Sequence, residues 1–237
     1  MTRQEAKDIF SGFRQKYRFL PKDFGTEEQL EKITGLYVPF WVANCRVKVD
    51  YDAIGVNKRS WREGDYMVTE TSEYKIVRQG EVKIEGLPAD GSQKIEDELM
   101  EAIEPFDYAK AEKFDMAYLS GFYADKYDVT KHEVFPRIRN RAVQGSDSLV
   151  RSTMTYGEVH VRKSQFDVMN TTYEYMLLPV WFMTFKYKEK IYEFAINGQT
   201  KKLAGTPPLA KERLLAFSIT IGLLIFIIFV LAGGFLG

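Results

Sequence analysis

The sequence predicts an α+β fold: antiparallel strand units flanking a helical insert, with one C-terminal transmembrane helix. Three observations carry this prediction. Residues 41–51, WVANCRVKVDY, alternate apolar and polar side chains with the period of a half-buried strand. Strand-like patterning returns after residue 157, following a helix-rich middle. Residues 214–237, LLAFSITIGLLIFIIFVLAGGFLG, carry no charge at all. On this reading a domain over 1–204 holds a strand unit (36–87), a helical insert (90–155) and a second strand unit (157–204). A linker (205–213) and a transmembrane helix (214–236) follow.

The first element is an amphipathic helix over 2–20. Thr2 and Glu5 have capping-box spacing, and Ala6, Ile9, Phe10, Phe13, Tyr17 and Leu20 share one face. Pro21 is placed to stop it. A helical turn over Thr26–Ile33 leads to Gly35 and the strand from Trp41. A second strand is expected over about 65–78, and Gln79-Gly80 reads as a turn into a short third strand, Val82–Ile84, completing a β-meander.

The middle reads as helical. Asp90 and Gln93 can cap a helix carrying Ile95, Leu99, Met100 and Ile103, ended by Pro105. A helix is expected from Asp115 through Lys126. Another is expected over about 130–155, interrupted by Pro136 and Gly145. Strands follow at about 157–166, 169–178, 180–188 and 190–197. Lys188-Glu189-Lys190 reads as one hairpin turn, and Asn197-Gly198 as a stronger one.

One motif occurs twice. Pro39 and Trp41 stand in LYVPFWV, and Pro179 and Trp181 in LLPVWFM. Proline cannot donate to a strand ladder and suits a strand's first residues or its edge. The tryptophan two positions on then shares its face and points into the core. Pro39, Trp41, Pro179 and Trp181 therefore read as a scaffold motif of a duplicated strand unit.

The terminal apolar segment is long enough, at about 1.5 Å per residue, for a hydrocarbon layer of roughly 30 Å. Lys201, Lys202, Lys211 and Arg213 precede it and no charge follows. The positive-inside tendency places residues 1–213 in the cytoplasm, as a single-pass, tail-anchored protein of the cell membrane. Gly205-Thr-Pro-Pro-Leu209 reads as a short stiff linker. No signal peptide is expected, because residues 1–20 are charged and amphipathic.

Composition narrows the chemistry. Lys+Arg and Asp+Glu are equal at 33 each, so the chain lacks the net positive charge typical of nucleic-acid binders. The single cysteine, Cys45, excludes an internal disulfide and a multi-cysteine zinc site. It lies on the apolar face of a strand and reads as a small buried hydrophobe. P-loop, dinucleotide-binding, zincin and nucleophile-elbow motifs are all missing from the sequence. His132 and His160 lie far apart, in different element types. No catalytic, cofactor-binding or metal-binding residue is assigned, and no cofactor is expected. Arg137-Ile-Arg-Asn-Arg141 is the most basic short patch. Arg137, Arg139 and Arg141 are candidate partner or phosphate contacts, although flanking acids favour a solvated helix face.

The stretches KITGLYVPFWV (32–42), PADGSQKIEDELMEAIEPFDY (88–108), FDMAYLSGFYADKYDV (114–129) and LLPVWFMTFKYKEKIYEFAINGQTKKLAG (177–205), with the terminal apolar segment, carry a resemblance. Together they resemble a bacterial membrane-anchored family usually labelled TFIIB-type zinc-ribbon-containing, sometimes mislabelled primosomal-helicase-like. Family members begin with a ribbon of two Cys-x-x-Cys pairs, which this sequence lacks, so zinc binding is not carried over. The resemblance implies a non-enzymatic adaptor. Its soluble partners would be flotillin-like (SPFH) or phage-shock-type membrane-stress proteins at the bilayer. The rival expectation is a nucleic-acid-associated membrane protein using residues 137–141. An enzyme acting at the membrane face has no support in the residues.

Overall fold

The computed structural model describes residues 1–119, 121–124 and 126–235, with side chains described through residue 230. The chain is α+β and its strands pair mostly antiparallel. It forms two compact, interleaved units. Unit one contains Met1–Tyr37, Glu98–Asp125 and Leu178–Gly237; unit two contains Val38–Asp97 and Lys126–Leu177.

Unit two is built on a long hairpin. Strand β1 (Thr34–Glu63) pairs antiparallel with β2 (Tyr66–Asp90), in register from Phe40↔Asp90 to Glu63↔Tyr66 with a bulge between Ala43 and Cys45. Gly64, at φ +63°, supplies the left-handed residue of the turn. The expected turn at Gln79-Gly80 is corrected. Gly80 pairs with Val49, and β2 runs straight through because β1 continues opposite it well beyond Tyr51. The β-meander is therefore one two-stranded ribbon. From Lys58 to Lys75 nearly every ribbon residue on either face is exposed, including Trp61, Tyr66 and Met67.

Helix α4 (Lys131–Ser152) covers the other part of this hairpin. Thr130 and Glu133 form a capping box at its start. Its buried residues, Val134, Ile138, Ala142, Ser146 and Val150, recur every four positions as one stripe. Val134 and Ile138 pack with Ala43 and Ala89, Ala142 with Cys45 and Val47, and Val150 with Tyr51 and Ile76. The expected interruptions at Pro136 and Gly145 do not occur. Both residues lie on the exposed side, where the weakened ladder faces water and costs the core nothing. Strand β4 (Glu158–Tyr187) is likewise continuous, replacing three shorter predicted strands, and in unit two the strand order is β2-β1-β4.

In unit one, helix α1 (Arg3–Gln15) keeps the predicted capping box but ends before Pro21. Residues 27–30 form the short α2 (Glu27–Leu30). The helix expected after Asp90 shortens to α3 (Asp97–Ala102), since residues up to Asp90 stay in β2. The helix expected over 115–126 is corrected to a 3-10 turn, Met116–Leu119, and strand β3 (Tyr123–Ala124), parallel to Leu36–Tyr37. Gly121, at φ +83°, is incompatible with a continuing helix. Ser120 and Asp125 of that segment lie outside the described residues. β4 pairs with β5 (Lys190–Asn197) through the predicted Lys188-Glu189 turn, Lys188 lying at φ +52°, and β5 pairs with β6 (Leu203–Gly205).

The unit-one core is aromatic. Phe10 of α1 meets Phe24 at 5.4 Å and Phe194 edge-on at 5.3 Å, and Phe24 meets Phe185 at 5.0 Å. Full burial stabilises each ring by about 1.5–3 kcal/mol. Helix α5 (Lys211–Phe235) ends the described chain. It is long and apolar enough to cross a membrane, with mean hydropathy 2.5 over Lys211–Val230 and none of that segment buried. Residue 236, the last of the predicted span, lies outside the described residues.

Candidate functional site

Pro39 and Pro179 occupy matching local settings, one in each unit. The Pro39 carbonyl accepts from the Gly91 amide at 2.8 Å, and the Pro179 carbonyl accepts from the Gly198 amide at 2.8 Å. The residue after each proline stands opposite a buried polar residue in the ladder: Phe40 opposite Asp90 and Val180 opposite Asn197. Each Pro-x-Trp strand thus faces a strand ending in a buried Asp or Asn followed by Gly. The sequence carries this second half of the echo as well, in Ala89-Asp-Gly-Ser-Gln-Lys94 beside Ile196-Asn-Gly-Gln-Thr-Lys201. Reading Asp90 as a helix cap hid it.

The two buried polar residues do different work. Asn197 is fully buried and donates to the carbonyls of Ile103 and Pro105, both at 3.0 Å. Its Oδ1 accepts from the amides of Gln199 at 2.8 Å and Thr200 at 2.9 Å. All its hydrogen-bonding capacity is used. Gly198 is required for a reason the turn reading missed. A Cβ there would stand 2.7 Å from the Pro179 carbonyl oxygen, whereas the left-handed residue of the β5–β6 turn is Lys201.

Asp90 lies beside Arg137, with Oδ1 2.6 Å from the guanidinium, which also pairs with Asp97. Burial pushes the Asp90 carboxyl up, against the opposing pull of Arg137. The Arg141 guanidinium donates to the Pro88 carbonyl at 2.5 Å. Arg137 and Arg141 therefore clamp α4 to the end of β2, while Arg139 points to an open surface with Asn140 and Ser164. The three arginines do not converge on one point.

The two tryptophans also diverge. Trp181 is buried, packs edge-on to Phe122 at 5.0 Å, and its indole N–H has no hydrogen-bond partner among the described residues. Trp41 is half-buried against Tyr127 and Tyr175, each at 5.3 Å, and its Nε1 donates to the Val129 carbonyl at 2.9 Å. Cys45 is buried, which pushes its thiol up and away from the reactive thiolate. His132 and His160 are both exposed. Among the described residues no cluster of three His, Cys, Asp or Glu could hold a metal ion.

The root of α5 is the other built feature. The Ala210 amide donates to the Phe19 carbonyl at 2.8 Å, and Arg213 donates to the Leu20 carbonyl at 2.6 Å. Phe19 packs against Phe217 at 5.2 Å, and the Arg18 guanidinium lies 4.5 Å over the same ring. Of the basic flank, Lys201 pairs with Glu5, and Lys202 donates to the Glu104 carbonyl. Lys16–Leu20, expected as the end of the amphipathic helix, lies beyond α1, which ends at Gln15.

No family model matches the chain, and no solved structure matches it. It is similar to the "Uncharacterized protein YdjG" of Bacillus subtilis (strain 168), at 34% identity over 218 residues, covering 92% of this chain. The chain spans 64% of the length of that relative.

Proposed function

We propose that this chain is a non-enzymatic, single-pass membrane protein whose α+β portion docks soluble proteins at the cytoplasmic face. The observation that carries the reading is α5, apolar and exposed along its described length yet tied at its root to Phe19 and Leu20. An apolar helix with no covering surface calls for lipid. The ribbon from Lys58 to Lys75, exposed on both faces with Trp61, Tyr66 and Met67 near its tip, supports the docking role. Aromatic and methionine side chains of this kind are enriched at protein interfaces. The partners that the family resemblance implies are flotillin-like or phage-shock-type membrane-stress proteins.

The alternative of a nucleic-acid role through residues 137–141 is less well supported. Arg137 and Arg141 already hold intramolecular partners, leaving Arg139 as the outward cation of the three. The test is cross-linking and affinity isolation of the full-length protein from membranes, alongside a Trp61→Ala/Met67→Ala variant. Reproducible recovery of a protein partner that weakens about tenfold in the variant supports the proposal, as loss of two interface anchors would. Recovery of lipid alone overturns it.

A further inference from the structure

The root of α5 borders a surface cleft of about 490 Å³, lined on one side by Lys16, Tyr17, Arg18 and Leu20 and on the other by Pro207 and Leu209. Its depth relative to the membrane follows from α5. The helix turns apolar at Leu214, and Phe217 lies about 4.5 Å further along at 1.5 Å per residue. From Leu214 to Phe235 the segment measures about 33 Å, against a hydrocarbon layer of roughly 30 Å. Leu214 to Phe217 therefore fall at the boundary between acyl chains and headgroups. Arg18, held over the Phe217 ring, falls there too.

Four features of this cleft suit a lipid headgroup. Among the described residues neither Lys16 nor Arg18 has a carboxylate partner, although both are exposed. Arg18 presents a planar fork that matches phosphate oxygens. Tyr17, 43% exposed, and the partly buried Phe19 place aromatic rings at the same level, as interfacial belts do. Leu209 and Leu215, 49% and 63% exposed, offer apolar surface on which acyl chains can lie. The chain as a whole is electrically neutral, so any preference for anionic lipid must be local.

We infer that this cleft binds the phosphate of an anionic phospholipid in the leaflet that α5 enters, with Arg18 and Lys16 as the contacting cations. The inference rests on the membrane-anchored reading proposed above. Each cation near an anionic surface contributes on the order of fivefold, and the pair roughly 30-fold.

The test uses the full-length chain in nanodiscs of phosphatidylcholine, with or without a minority of phosphatidylglycerol. Native mass spectrometry counts the lipids that leave with the protein. Phosphatidylglycerol should be enriched on the wild type and on Lys32→Gln, and the enrichment should fall roughly 30-fold in Lys16→Gln/Arg18→Gln. Arg18→Lys, which keeps the charge but loses the planar fork, should show a partial loss of about threefold. Equal retention of the two lipids, persistence of enrichment in the double variant, or an equal loss in Arg18→Lys overturns the inference. A third arm adds millimolar inorganic phosphate to phosphatidylcholine discs. A phosphate adduct abolished by Arg18→Gln would identify a free-phosphate site and likewise overturn the lipid assignment. Alkaline carbonate extraction of the same preparations separates this failure from that of the anchor. Release of the chain refutes membrane insertion, whereas firm retention without phosphatidylglycerol enrichment refutes the headgroup site alone.

Discussion

Asn197 is the side chain whose loss the structure prices most clearly. Replacing it with alanine removes two donors and one doubly used acceptor. The Ile103 and Pro105 carbonyls and the Gln199 and Thr200 amides are then left without their partner. A fully buried orphan costs about 1–3 kcal/mol, and the Asn197–Ile103 bond is in that class. The other three are partly buried and can recruit water at about 0.5–1 kcal/mol each. The expected loss is about 3–5 kcal/mol, a large part of the 5–15 kcal/mol typical of a domain. Asn197→Asp keeps the two accepted bonds but directs a carboxylate at two carbonyl oxygens. Its folded-state pKa must lie above its unfolded value, so the native state holds the proton longer. The variant is therefore least destabilised in acid and loses stability as pH rises above about 4. Guanidinium unfolding of the full chain in detergent micelles, followed by tryptophan fluorescence from pH 3 to pH 7 (roughly the window set by carboxylate titration), measures both effects. A Asn197→Ala variant within about 0.5 kcal/mol of wild type, or a Asn197→Asp variant with the wild-type pH slope, would refute the reasoning.

Two glycines should respond with opposite sign. Gly145→Ala adds a Cβ into open space on the exposed face of α4 and should stabilise by about 0.5–1 kcal/mol, whereas Gly198→Ala drives a Cβ into the Pro179 backbone and should destabilise by about 1–3 kcal/mol. Thermal melts of the two variants decide this, and equal shifts would sink the close-approach account of Gly198. The Glu5 carboxyl is lowered to about 2 by Lys201 and by the Thr2 amide and hydroxyl. Its contribution is present above the ordinary glutamate value and is lost as pH falls from about 4.5 toward 2. Glu5→Gln should flatten that part of the acid-unfolding curve, and an unchanged acid limb would count against the pairing.

Where a local rule acts alone, the sequence was readable. The capping box at Thr2, the Lys188-Glu189 turn and the apolar α5 all follow from short-range chemistry. Failures came where a neighbouring strand decides the outcome. Gln79-Gly80 has turn chemistry, yet Asp50 and Val49 stand opposite and hold it in the ladder. Pro136 breaks helices in general, but here it lies on an exposed side where little is lost. The Arg137–Arg139–Arg141 run looks like a single patch in the linear sequence, but helical spacing splits it. Position 139 faces outward, while 137 and 141, four apart, face β2 together. The second half of the Pro-x-Trp echo was visible as Asp-Gly and Asn-Gly, but its meaning depends on pairing across strands.

The pinned root of α5 has a mechanical consequence. A flexible tether would let the helix find its own angle in any bilayer. Here Ala210 and Arg213 are fastened to Phe19 and Leu20, and the intervening chain contains Pro207 and Pro208. An apolar segment of about 33 Å placed in a thinner bilayer must lean to keep its surface in oil. With so little slack at the joint, unit one leans with it, as a mast turns with its step. Bilayer thickness then becomes an angular setting of unit one, transmitted without any ligand.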